Sequence, residues 1–452
     1  MSRSLLFGDA RDLQRDQLGT YERAMAASGD LFRFRVGPPR VGFQFDAVFR
    51  PEGAHEVLAS KASRYVKEAP VYSELARLLG PGLITTDGDL WRRDRRILQP
   101  VFTRPRVTSY VDVISAGAAD LVSWWATANS GGGVDGHVVD LHADAMRYAL
   151  HVLSHTLFGD DVGSAGPVIR DALPVLSAHA TRRGLSPMPS PAWWPSPANR
   201  RAERLRRALW EMVDDLVVQR RDRDSEHDLL SLLLTARDPD TGAALDDAAV
   251  RAHALTILLA GHETTGSSLA FTLHLLARHQ SVQDRVRQEV TQVLGGGGIT
   301  ADNLEELHYT AQVVDEALRL YPPAHTLVRQ AADDSTLCGH SIPGGRIVAV
   351  SVWGIHHNPS VWPDPHRFDP DRFDGAPERS SGDRYTHLPF GGGPHACIGR
   401  FLAIAELLAA VATVVRDCRL QSLVETPALD AGLTLRPAGT LPCRVQRLAR
   451  RG

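Results

Sequence analysis

The sequence contains little cysteine, and this scarcity limits the chemistry that its thiols can serve. Four cysteines occur among 452 residues, Cys338, Cys397, Cys418 and Cys443, and no two of them form a C-x-x-C pair. Zinc ribbons and redox dithiols need that close spacing, so both classes are excluded. Four scattered cysteines in so long a chain also argue against a disulfide scaffold and favour a reducing compartment such as the cytoplasm.

The chain also lacks a strong net charge and long apolar runs. Its formal net charge is −3 at pH 7, so no overall field favours nucleic acid or an anionic membrane. Residues 1–21 mix charged and apolar side chains without the apolar core of a signal peptide, and no segment is apolar enough for a membrane span. We therefore expect a cytoplasmic protein that binds neither nucleic acid nor membrane.

Hydrophobic periodicity predicts a mainly α-helical chain with a minor β region. Residues 31–36 and 41–49 largely alternate apolar and polar side chains around a glycine and two prolines, which predicts a β-hairpin. A second strand-rich stretch covers residues 325–353, and helical periodicity fills the region between. Within that region, residues 246–279 form a long run with an apolar middle, which predicts a buried central helix. No internal repeat or linker divides the chain, so we expect a single domain over residues 1–452.

One segment interrupts the helical pattern with proline, serine and tryptophan. Residues 184–199 carry Trp193 and Trp194 and precede a further helical stretch at residues 200–221. One interpretation is a surface loop with aromatic anchors, and the other is a mobile lid over an apolar pocket. The sequence leaves both open.

Cys397 lies in a glycine-rich segment that leads directly into an apolar helical run. Residues 389–399 contain four glycines, and residues 400–415 follow with helical periodicity. Glycine lets the backbone approach a large flat group closely, and the N-terminus of a helix stabilises a thiolate. The alternatives are a buried structural cysteine after a glycine turn and a phosphate-binding loop. The second is disfavoured because no strand–G-x-G-x-x-G–helix unit surrounds the segment.

This segment resembles the heme-binding loop of the cytochrome P450 superfamily, F-x-x-G-x-[RH]-x-C-x-G. Phe390, Gly393, Cys397 and Gly399 match the motif, and His395 stands where arginine is most common. The resemblance implies the cytochrome P450 fold, a triangular helical prism closed around one buried heme b.

The same resemblance implies how the heme is held. Cys397 would be the thiolate ligand of the iron, which increases the electron density on iron and favours O–O cleavage. Phe390 and Gly391 would lie against the cofactor, and His395 would contact a heme propionate in place of the usual arginine.

Glu316 and Arg319 form an E-x-x-R motif, and helical spacing places both side chains on one face. Taken alone, such a pair is typical of a solvated helix surface. Tyr321 and two prolines end the helix directly afterwards, and residues 365–373 resemble the meander segment of the same family. The resemblance implies that Arg372 joins Glu316 and Arg319 in a buried triad, which supports the heme pocket and takes no part in the chemistry.

Residues 260–265 place an acid beside an alcohol in the middle of the long helix. A polar interruption of the helix is the plain interpretation, with Thr265 bonding back to the helix carbonyls. A zinc-protease motif is excluded because Gly266 stands where a second histidine is required. The segment resembles the family motif [AG]-G-x-[DE]-T-[TS], which implies that Glu263 and Thr264 are the catalytic pair that relays protons during oxygen activation.

Trp91 and Arg95 match the family motif W-x-x-x-R and lie one helical turn apart. The resemblance implies that both contact a heme propionate and that Arg329 meets another. The neighbouring Arg93 and Arg96 belong to a run of charge that is either a solvated face or a docking patch for an acidic electron donor. We hypothesise that these two arginines help to bind a ferredoxin.

Together these motifs imply a heme-thiolate monooxygenase that uses O2 and two externally supplied electrons. No flavin or iron–sulfur segment follows the cysteine loop, so we expect a separate ferredoxin and ferredoxin reductase to supply the electrons, and we expect a monomer. The implied substrate is a mainly hydrophobic small molecule that is hydroxylated, epoxidised or oxidatively cyclised, such as a bacterial terpenoid, polyketide or peptide. The pocket residues implied by position in the family are Tyr72, Leu83, Ile84, Ala260, Thr326, Leu327 and Val328.

Two other functions stay open at this point. The first is a heme-thiolate enzyme that is driven by peroxide or that couples C–N or C–C bonds, and the second is a non-catalytic heme-binding sensor. The intact acid–alcohol pair of Glu263 and Thr264 argues against the peroxide route and against the sensor, because neither needs a proton relay.

Overall fold

The computed structural model describes residues 7–38, 42–128, 136–159, 165–184, 186, 191–221, 228–375 and 385–448. Helices make up most of these residues and short strands a minor part, which confirms the predicted fold class. In chain order the α-helices are α1 (Ala10–Arg15), α2 (Gln17–Ser28), α3 (Pro51–His55), α4 (Pro70–Leu79), α5 (Gly88–Leu98), α6 (Arg104–Thr108), α7 (Val111–Ala128), α8 (Leu141–Phe158), α9 (Ala165–Gly184), α10 (Pro197–Arg221), α11 (Leu229–Thr235), α12 (Asp247–Arg278), α13 (Gln280–Leu294), α14 (Ala301–Glu305), α15 (His308–Leu320), α16 (Val352–His356) and α17 (Arg400–Asp417). The strands are β1 (Leu31–Val36), β2 (Phe43–Val48), β3 (Tyr65–Val66), β4 (His137–Asp140), β5 (Thr326–Ala331), β6 (Ser335–Leu337), β7 (His340–Ile342), β8 (Ile347–Ser351), β9 (Cys418–Ser422), β10 (Leu429–Ala431), β11 (Leu435–Pro437) and β12 (Pro442–Arg447).

The largest sheet joins strands from both ends of the sequence in the order β1-β2-β8-β5-β3. β1 and β2 form the predicted antiparallel hairpin, in which Phe34 pairs with Phe45. β2 then pairs in parallel with β8, so that Val48 lies opposite Val350, and β8 pairs antiparallel with β5. The prediction that both halves of the chain build one β region is therefore confirmed.

A second sheet, in the order β4-β12-β9, lies outside the two β regions that the sequence predicts. Its strands pair antiparallel, and Val445 lies opposite both His137 and Leu420. β12 buries only Cys443 and Val445. So short an apolar alternation does not stand out from the polar residues around it, which explains why the sequence pattern missed this sheet.

α12 runs through the helical core, as the sequence predicts for residues 246–279. The Asp246 side chain caps the helix by accepting a hydrogen bond from the Ala249 amide at 2.7 Å. The side chains of α12 are buried on nearly every face, as is typical of a helix inside a core. It packs against α8 and α17. Because α17 begins three residues after Cys397, this packing fixes the cysteine relative to the middle of α12.

The segment at residues 184–199 lies partly outside the described structure, which leaves out residues 185 and 187–190. In the described turn before α10, Trp193 is 77% exposed and Trp194 is 54% exposed. The surface loop and the lid both stay predictions.

One hydrophobic core joins helices α4 to α15, helix α17 and the β4-β12-β9 sheet. The single domain over residues 1–452 stays a prediction. Within the described part of the chain, no helix is both long enough and apolar enough to cross a bilayer.

Candidate functional site

The loop before α17 is shaped by two glycines in the left-handed region of backbone conformation. Gly391 and Gly393 have φ angles of +70° and +66°, which other residues adopt only with strain. A Cβ atom on Gly393 would lie 1.8 Å from the carbonyl oxygen of Leu58, so only glycine fits there. The turn is closed where the Cys397 amide donates to the carbonyl oxygen of Phe390 at 2.9 Å. The sequence therefore folds here to present one thiol at the start of a helix.

Cys397 is solvent-exposed by its surface area, although many protein atoms lie within a few residues' distance around its thiol. Burial raises the pKa of this thiol, while the Gly399 amide and the charges of Arg95 and Arg400 lower it, and burial outweighs them. The predicted stabilisation by the helix terminus is thus present but not dominant. A metal ion that binds a thiol removes its proton outright, so metal coordination is the step that would produce a thiolate here.

α5 brings Trp91 and Arg95 to the cysteine loop, as the one-turn spacing predicts. The Arg95 Nη1 atom donates to the carbonyl oxygen of Ala396 at 3.0 Å, one residue before Cys397. The ring of Trp91 lies 3.9 Å from the ring of His395, centroid to centroid. The structure therefore brings these residues from distant parts of the sequence to one side of the loop.

Arg329 is buried beside them and is held in place by its own neighbours. Its Nη1 atom donates to the Tyr72 hydroxyl at 3.0 Å and to the carbonyl oxygen of Val328 at 2.7 Å. The Tyr72 hydroxyl in turn donates to the same carbonyl at 2.9 Å. Tyr72 thus positions Arg329, and its place in the substrate pocket stays a prediction.

Lys67 is a site residue that the sequence analysis missed. It is buried, its Nζ atom donates to the carbonyl oxygen of Leu83 at 2.8 Å, and it lies 5.7 Å from the centroid of the Trp91 ring. Burial and the nearby charges of Arg329 and Arg95 lower the pKa of Lys67 to about 7. The available signal was composition, because Lys67 is one of only two lysines in the chain.

His395 completes this group, and we call Lys67, Arg95, Arg329 and His395 the cationic cluster. The His395 Nε2 atom lies 3.4 Å from Asp87 Oδ1. Burial lowers the pKa of His395, and its Nδ1 atom is buried without a hydrogen-bond partner among the described residues.

The cationic cluster contains more positive charge than the surrounding protein balances. Among the described residues, Asp87 is the one carboxylate in contact with the cluster, and although burial opposes ionisation, hydrogen bonds from His395 and two backbone amides hold the pKa of Asp87 well below its usual range. One carboxylate cannot offset the three cationic side chains of Lys67, Arg95 and Arg329, of which Lys67 and Arg329 are buried. The cluster therefore fits a ligand that carries two carboxylates, as heme does in its two propionates, with the free Nδ1 atom of His395 as a further contact.

Glu263 and Thr264 lie in the middle of α12, and each has a polar partner. Glu263 is buried, and its Oε1 atom accepts a hydrogen bond from Arg436 Nη1 at 2.8 Å. Its Oε2 atom is buried without a hydrogen-bond partner in the described structure. The Thr264 hydroxyl donates to the carbonyl oxygen of Ala260, so Thr264 makes the return bond that the sequence analysis gave to Thr265.

Arg436 is a second residue that the sequence analysis missed. It lies in β11, and the same guanidinium also donates to Asp430 at 2.9 and 3.0 Å. The β10–β11 hairpin thus reaches across to the acid of α12. Arg436 and Glu263 are separated by 173 residues, which explains why no local sequence pattern predicted the pair.

Glu316 and Arg319 are completely buried, which excludes the solvated surface pair. They form a bidentate ion pair with N–O distances of 2.6 and 2.8 Å. Arg319 also donates to the carbonyl oxygens of His356 and Pro365 at 2.8 and 2.7 Å. Arg372 Nε lies 3.4 Å from Glu316 Oε1. The structure therefore brings the predicted triad together, and its role as a support of the pocket stays a prediction.

The three pocket candidates on β5 do not share one face. A Cβ atom on Gly391 would lie 3.6 Å from Leu327, so Leu327 faces the cysteine loop. Thr326 contacts the ring of His325 at 3.0 Å, and Val328 pairs with Ala349. Side chains alternate along a strand, so Thr326 and Val328 point away from the loop.

The remaining pocket candidates lie on the other walls of the helical core. Leu83 and Ile84 are partly buried and pack against that core, and Ala260 is partly exposed on α12 one turn before Thr264. That these residues line a substrate pocket together with Leu327 stays a prediction.

The run of arginines on α5 is paired with acids instead of free. Arg93 pairs with Asp94 at 2.7 Å, and Arg96 pairs with Asp238 at 2.9 Å. These pairs neutralise much of the charge that the sequence suggested for a docking patch. An exposed cation lies instead at Arg400, directly after the cysteine loop.

Comparisons with known proteins agree over almost the entire chain. The family model described as Cytochrome P450 matches residues 3–443. Cyclooctat-9-en-7-ol 5-monooxygenase of Streptomyces melanosporofaciens is 34% identical over 421 residues, which cover 93% of this chain and 88% of that protein. Pentalenene oxygenase of Streptomyces avermitilis is 31% identical, over 88% of this chain and 85% of that protein. The solved structure of the cytochrome P450DA heme domain superposes with a TM-score of 0.86 at 27% identity, covering 99% of this chain and 97% of that one.

Proposed function

This chain belongs to the cytochrome P450 family, and from that premise we propose that it oxidises a hydrophobic small molecule of the terpenoid class with electrons from a ferredoxin. Membership makes the chain a heme b-dependent monooxygenase, and the proposal adds the substrate class and the electron donor. Two relatives have names that refer to cyclooctat-9-en-7-ol and to pentalenene. The observation that supports the proposed heme site is the contact between the Cys397 loop and the cationic cluster.

Heme b, when bound, supplies the activation of O2 and the transfer of one oxygen atom to the substrate. In our proposal Cys397 provides the thiolate ligand, and the cationic cluster with Trp91 holds the two propionates. Arg95 has two tasks, because it belongs to the cluster and also bonds the Ala396 carbonyl oxygen beside the ligand. Filling the site with carboxylates would therefore also stabilise the loop that carries the thiol.

We propose that Glu263 and Thr264 deliver protons to the oxygen-binding side of the site. Arg436 holds one carboxylate oxygen of Glu263 and leaves the other oxygen without a partner, so that oxygen can take up and release a proton. The Thr264 hydroxyl donates to Ala260, and its oxygen keeps lone pairs that can accept a hydrogen bond from water.

The electron donor is proposed to dock near the cysteine loop, at a surface that includes Arg400 as well as Arg93 and Arg96. We expect Arg400→Gln to slow reduction by ferredoxin several-fold and to weaken its dependence on salt, because a solvent-exposed charge steers an acidic partner. Arg96→Gln should change the rate by less than about twofold, since Asp238 already offsets that charge. Stopped-flow reduction at several salt concentrations measures both, and equal effects would discard the distinction.

The ligand assignment is tested by the absorption spectrum of the reduced protein with carbon monoxide. We expect the strongly red-shifted Soret band of thiolate ligation, its replacement by a band typical of histidine ligation in Cys397→His, and no change in the control Cys338→Ala. A red-shifted band that persists in Cys397→His would contradict the assignment of Cys397 as the thiolate ligand.

The reaction is tested by turnover of cyclic terpenoid hydrocarbons and alcohols with a surrogate ferredoxin and its reductase. We expect products that carry one atom from labelled O2 and that form only when both electron carriers are present. Turnover with hydrogen peroxide alone would favour the peroxide-driven alternative, and heme binding without any turnover would favour a sensor.

A further inference from the structure

His356 is a completely buried histidine at the end of α16, and none of the sequence motifs includes it. The two nitrogens of its ring contact two different parts of the chain. The Nδ1 atom lies 3.0 Å from the carbonyl oxygen of Arg319, and the Nε2 atom accepts a hydrogen bond from the Leu388 amide at 2.8 Å. One side chain therefore joins α15 to the segment that leads into the cysteine loop.

These two partners fix the protonation state of the imidazole. A carbonyl oxygen can only accept a hydrogen bond, so Nδ1 holds the proton, and an amide can only donate, so Nε2 offers its lone pair. Burial and the nearby charges of His387, His357 and Arg319 hold the pKa of His356 well below its usual range, which agrees with a neutral ring. Both nitrogens are therefore in use, and neither is left for a ligand or for proton transfer.

The contact between His356 and Arg319 is reciprocal. Arg319 Nη1 donates to the carbonyl oxygen of His356 at 2.8 Å, while His356 Nδ1 donates to the carbonyl oxygen of Arg319. Arg319 is itself held by its bidentate ion pair with Glu316. Two residues that exchange hydrogen bonds in this way do not move independently, so the buried ion pair sets the position of the His356 ring.

On the other side of the ring, Leu388 begins a short series of hydrogen-bonded peptide groups that ends at Cys397. The carbonyl oxygen of Leu388 accepts a hydrogen bond from the Gly391 amide at 3.0 Å, and the carbonyl oxygen of Phe390 accepts one from the Cys397 amide at 2.9 Å. Leu388 is also buried. A buried amide without a partner is unfavourable, so the bond to His356 anchors the start of this series.

We propose that His356 is a positioning residue for the Cys397 ligand, because its bond to the Leu388 amide ties the cysteine loop to the buried Glu316–Arg319 pair. The inference rests on the proposed ligand role of Cys397. Without this bond the start of the loop is free to shift, and the cysteine loses its place as a thiolate ligand more easily. His356 does not contact the thiol and takes no part in the reaction.

Two substitutions separate the two bonds of the ring. Asparagine places its amide at the level of Nδ1, so His356→Asn keeps the bond to Arg319 and loses the bond to Leu388. Glutamine places its amide oxygen at the level of Nε2, so His356→Gln still accepts from the Leu388 amide.

The measurement is the rate at which the red-shifted carbon monoxide band of the heme-loaded protein is lost in mild urea. We expect this rate to be about tenfold higher in His356→Asn and to change by less than about twofold in His356→Gln. The matched control is His357→Asn, because His357 is also buried but bonds the carbonyl oxygen of Trp353 within its own turn of chain at 3.0 Å. Its rate should stay within about twofold of that of the unchanged protein.

Hydrogen exchange at the Leu388 amide gives a second readout, which needs no heme. Exchange should be about tenfold faster in His356→Asn than in His356→Gln. A His356→Asn chain that fails to take up heme while His356→Gln takes it up supports the proposal. Equal loss of the band in both variants, or equal retention, overturns it. A red-shifted band missing from the unchanged protein would instead overturn the proposed function, and this inference with it.

Discussion

Two groups of buried arginines in this chain are surrounded by opposite kinds of neighbours. Arg319 is buried with a bidentate carboxylate and several carbonyl oxygens, so its donors are satisfied from within the chain. Arg329 is also buried, but its partners are a neutral hydroxyl and one carbonyl oxygen, and its charged neighbours include Lys67. The protein thus balances the charge of the buried Arg319 with a carboxylate and leaves the charge of the buried Arg329 unbalanced.

The difference separates residues that build the fold from residues that wait for a ligand. A buried cation with its own carboxylate stabilises the chain as it stands, whereas buried cations that repel one another need an anion from outside. The same contrast recurs on the surface, where Arg93 and Arg96 have carboxylate partners and Arg200 and Arg201 have none among the residues that the structure describes. Three experiments break or sharpen this comparison.

We expect the largest effect on stability from removing Arg319, the buried arginine whose charge is balanced by a carboxylate. Arg319→Met removes the bidentate partner of the buried Glu316 and leaves it only the longer contact with Arg372, so the free energy of unfolding should fall by about 3–5 kcal/mol. Chemical denaturation of the heme-free and heme-loaded protein measures it. Arg285→Met is the matched control, because its ion pair with Asp371 is exposed and should contribute no more than about 1 kcal/mol. Equal losses in the two variants would show that burial does not make the Arg319–Glu316 pair contribute more to stability than the exposed Arg285–Asp371 pair.

The second prediction concerns pH and the unbalanced group. The pKa of Lys67 is lowered to about 7 in the folded chain by burial and by the charges of Arg329 and Arg95, so above pH 7 this side chain holds its proton in the unfolded chain and loses it in the folded one. The contribution of Lys67 to the free energy of unfolding of the heme-free protein should therefore rise with pH between about 7 and 10, by at most about 1.4 kcal/mol per pH unit.

Lys67→Met serves as the control for that slope, because it removes the titrating group and keeps the side chain long and apolar. Denaturant melts of the two heme-free proteins across this pH range should differ in slope. The same slope in both would mean that another group is responsible.

The smallest effect on stability is expected from Arg329. Arg329→Met loses the bond to Tyr72 but also relieves repulsion with Lys67, so the heme-free chain should change by less than about 1 kcal/mol. Heme should instead leave about tenfold faster, which transfer to excess apomyoglobin measures. Arg346→Met is the control, since Arg346 bonds Gln44 away from the cationic cluster. A large loss of stability without faster heme release would place Arg329 among the structural residues.

Local patterns predicted the elements whose signal lies within a few residues. The β1–β2 hairpin, the central helix α12 and the one-turn spacing of Trp91 and Arg95 are all of this kind. The C-terminal sheet was missed because β12 buries only two residues.

The missed site residues depend on contacts between distant parts of the chain. Arg436 reaches Glu263 across 173 residues, and Arg96 meets Asp238 across 142 residues. A charge that looks free in the sequence can therefore be neutralised in the fold. Lys67 is the reverse case, since the rarity of lysine marks it in the sequence but the cations that lower its pKa are brought to it only by the fold.

The parallel pairing of β2 with β8 has a consequence for how the chain is made. The paired residues Val48 and Val350 are separated by roughly 300 residues, which a ribosome adds in about 15–60 s at 5–20 residues per second. During that interval the N-terminal hairpin has no partner along one edge, and open strand edges invite pairing with other chains. We therefore expect nascent chains that stall before β8 emerges to be more prone to association than the finished chain.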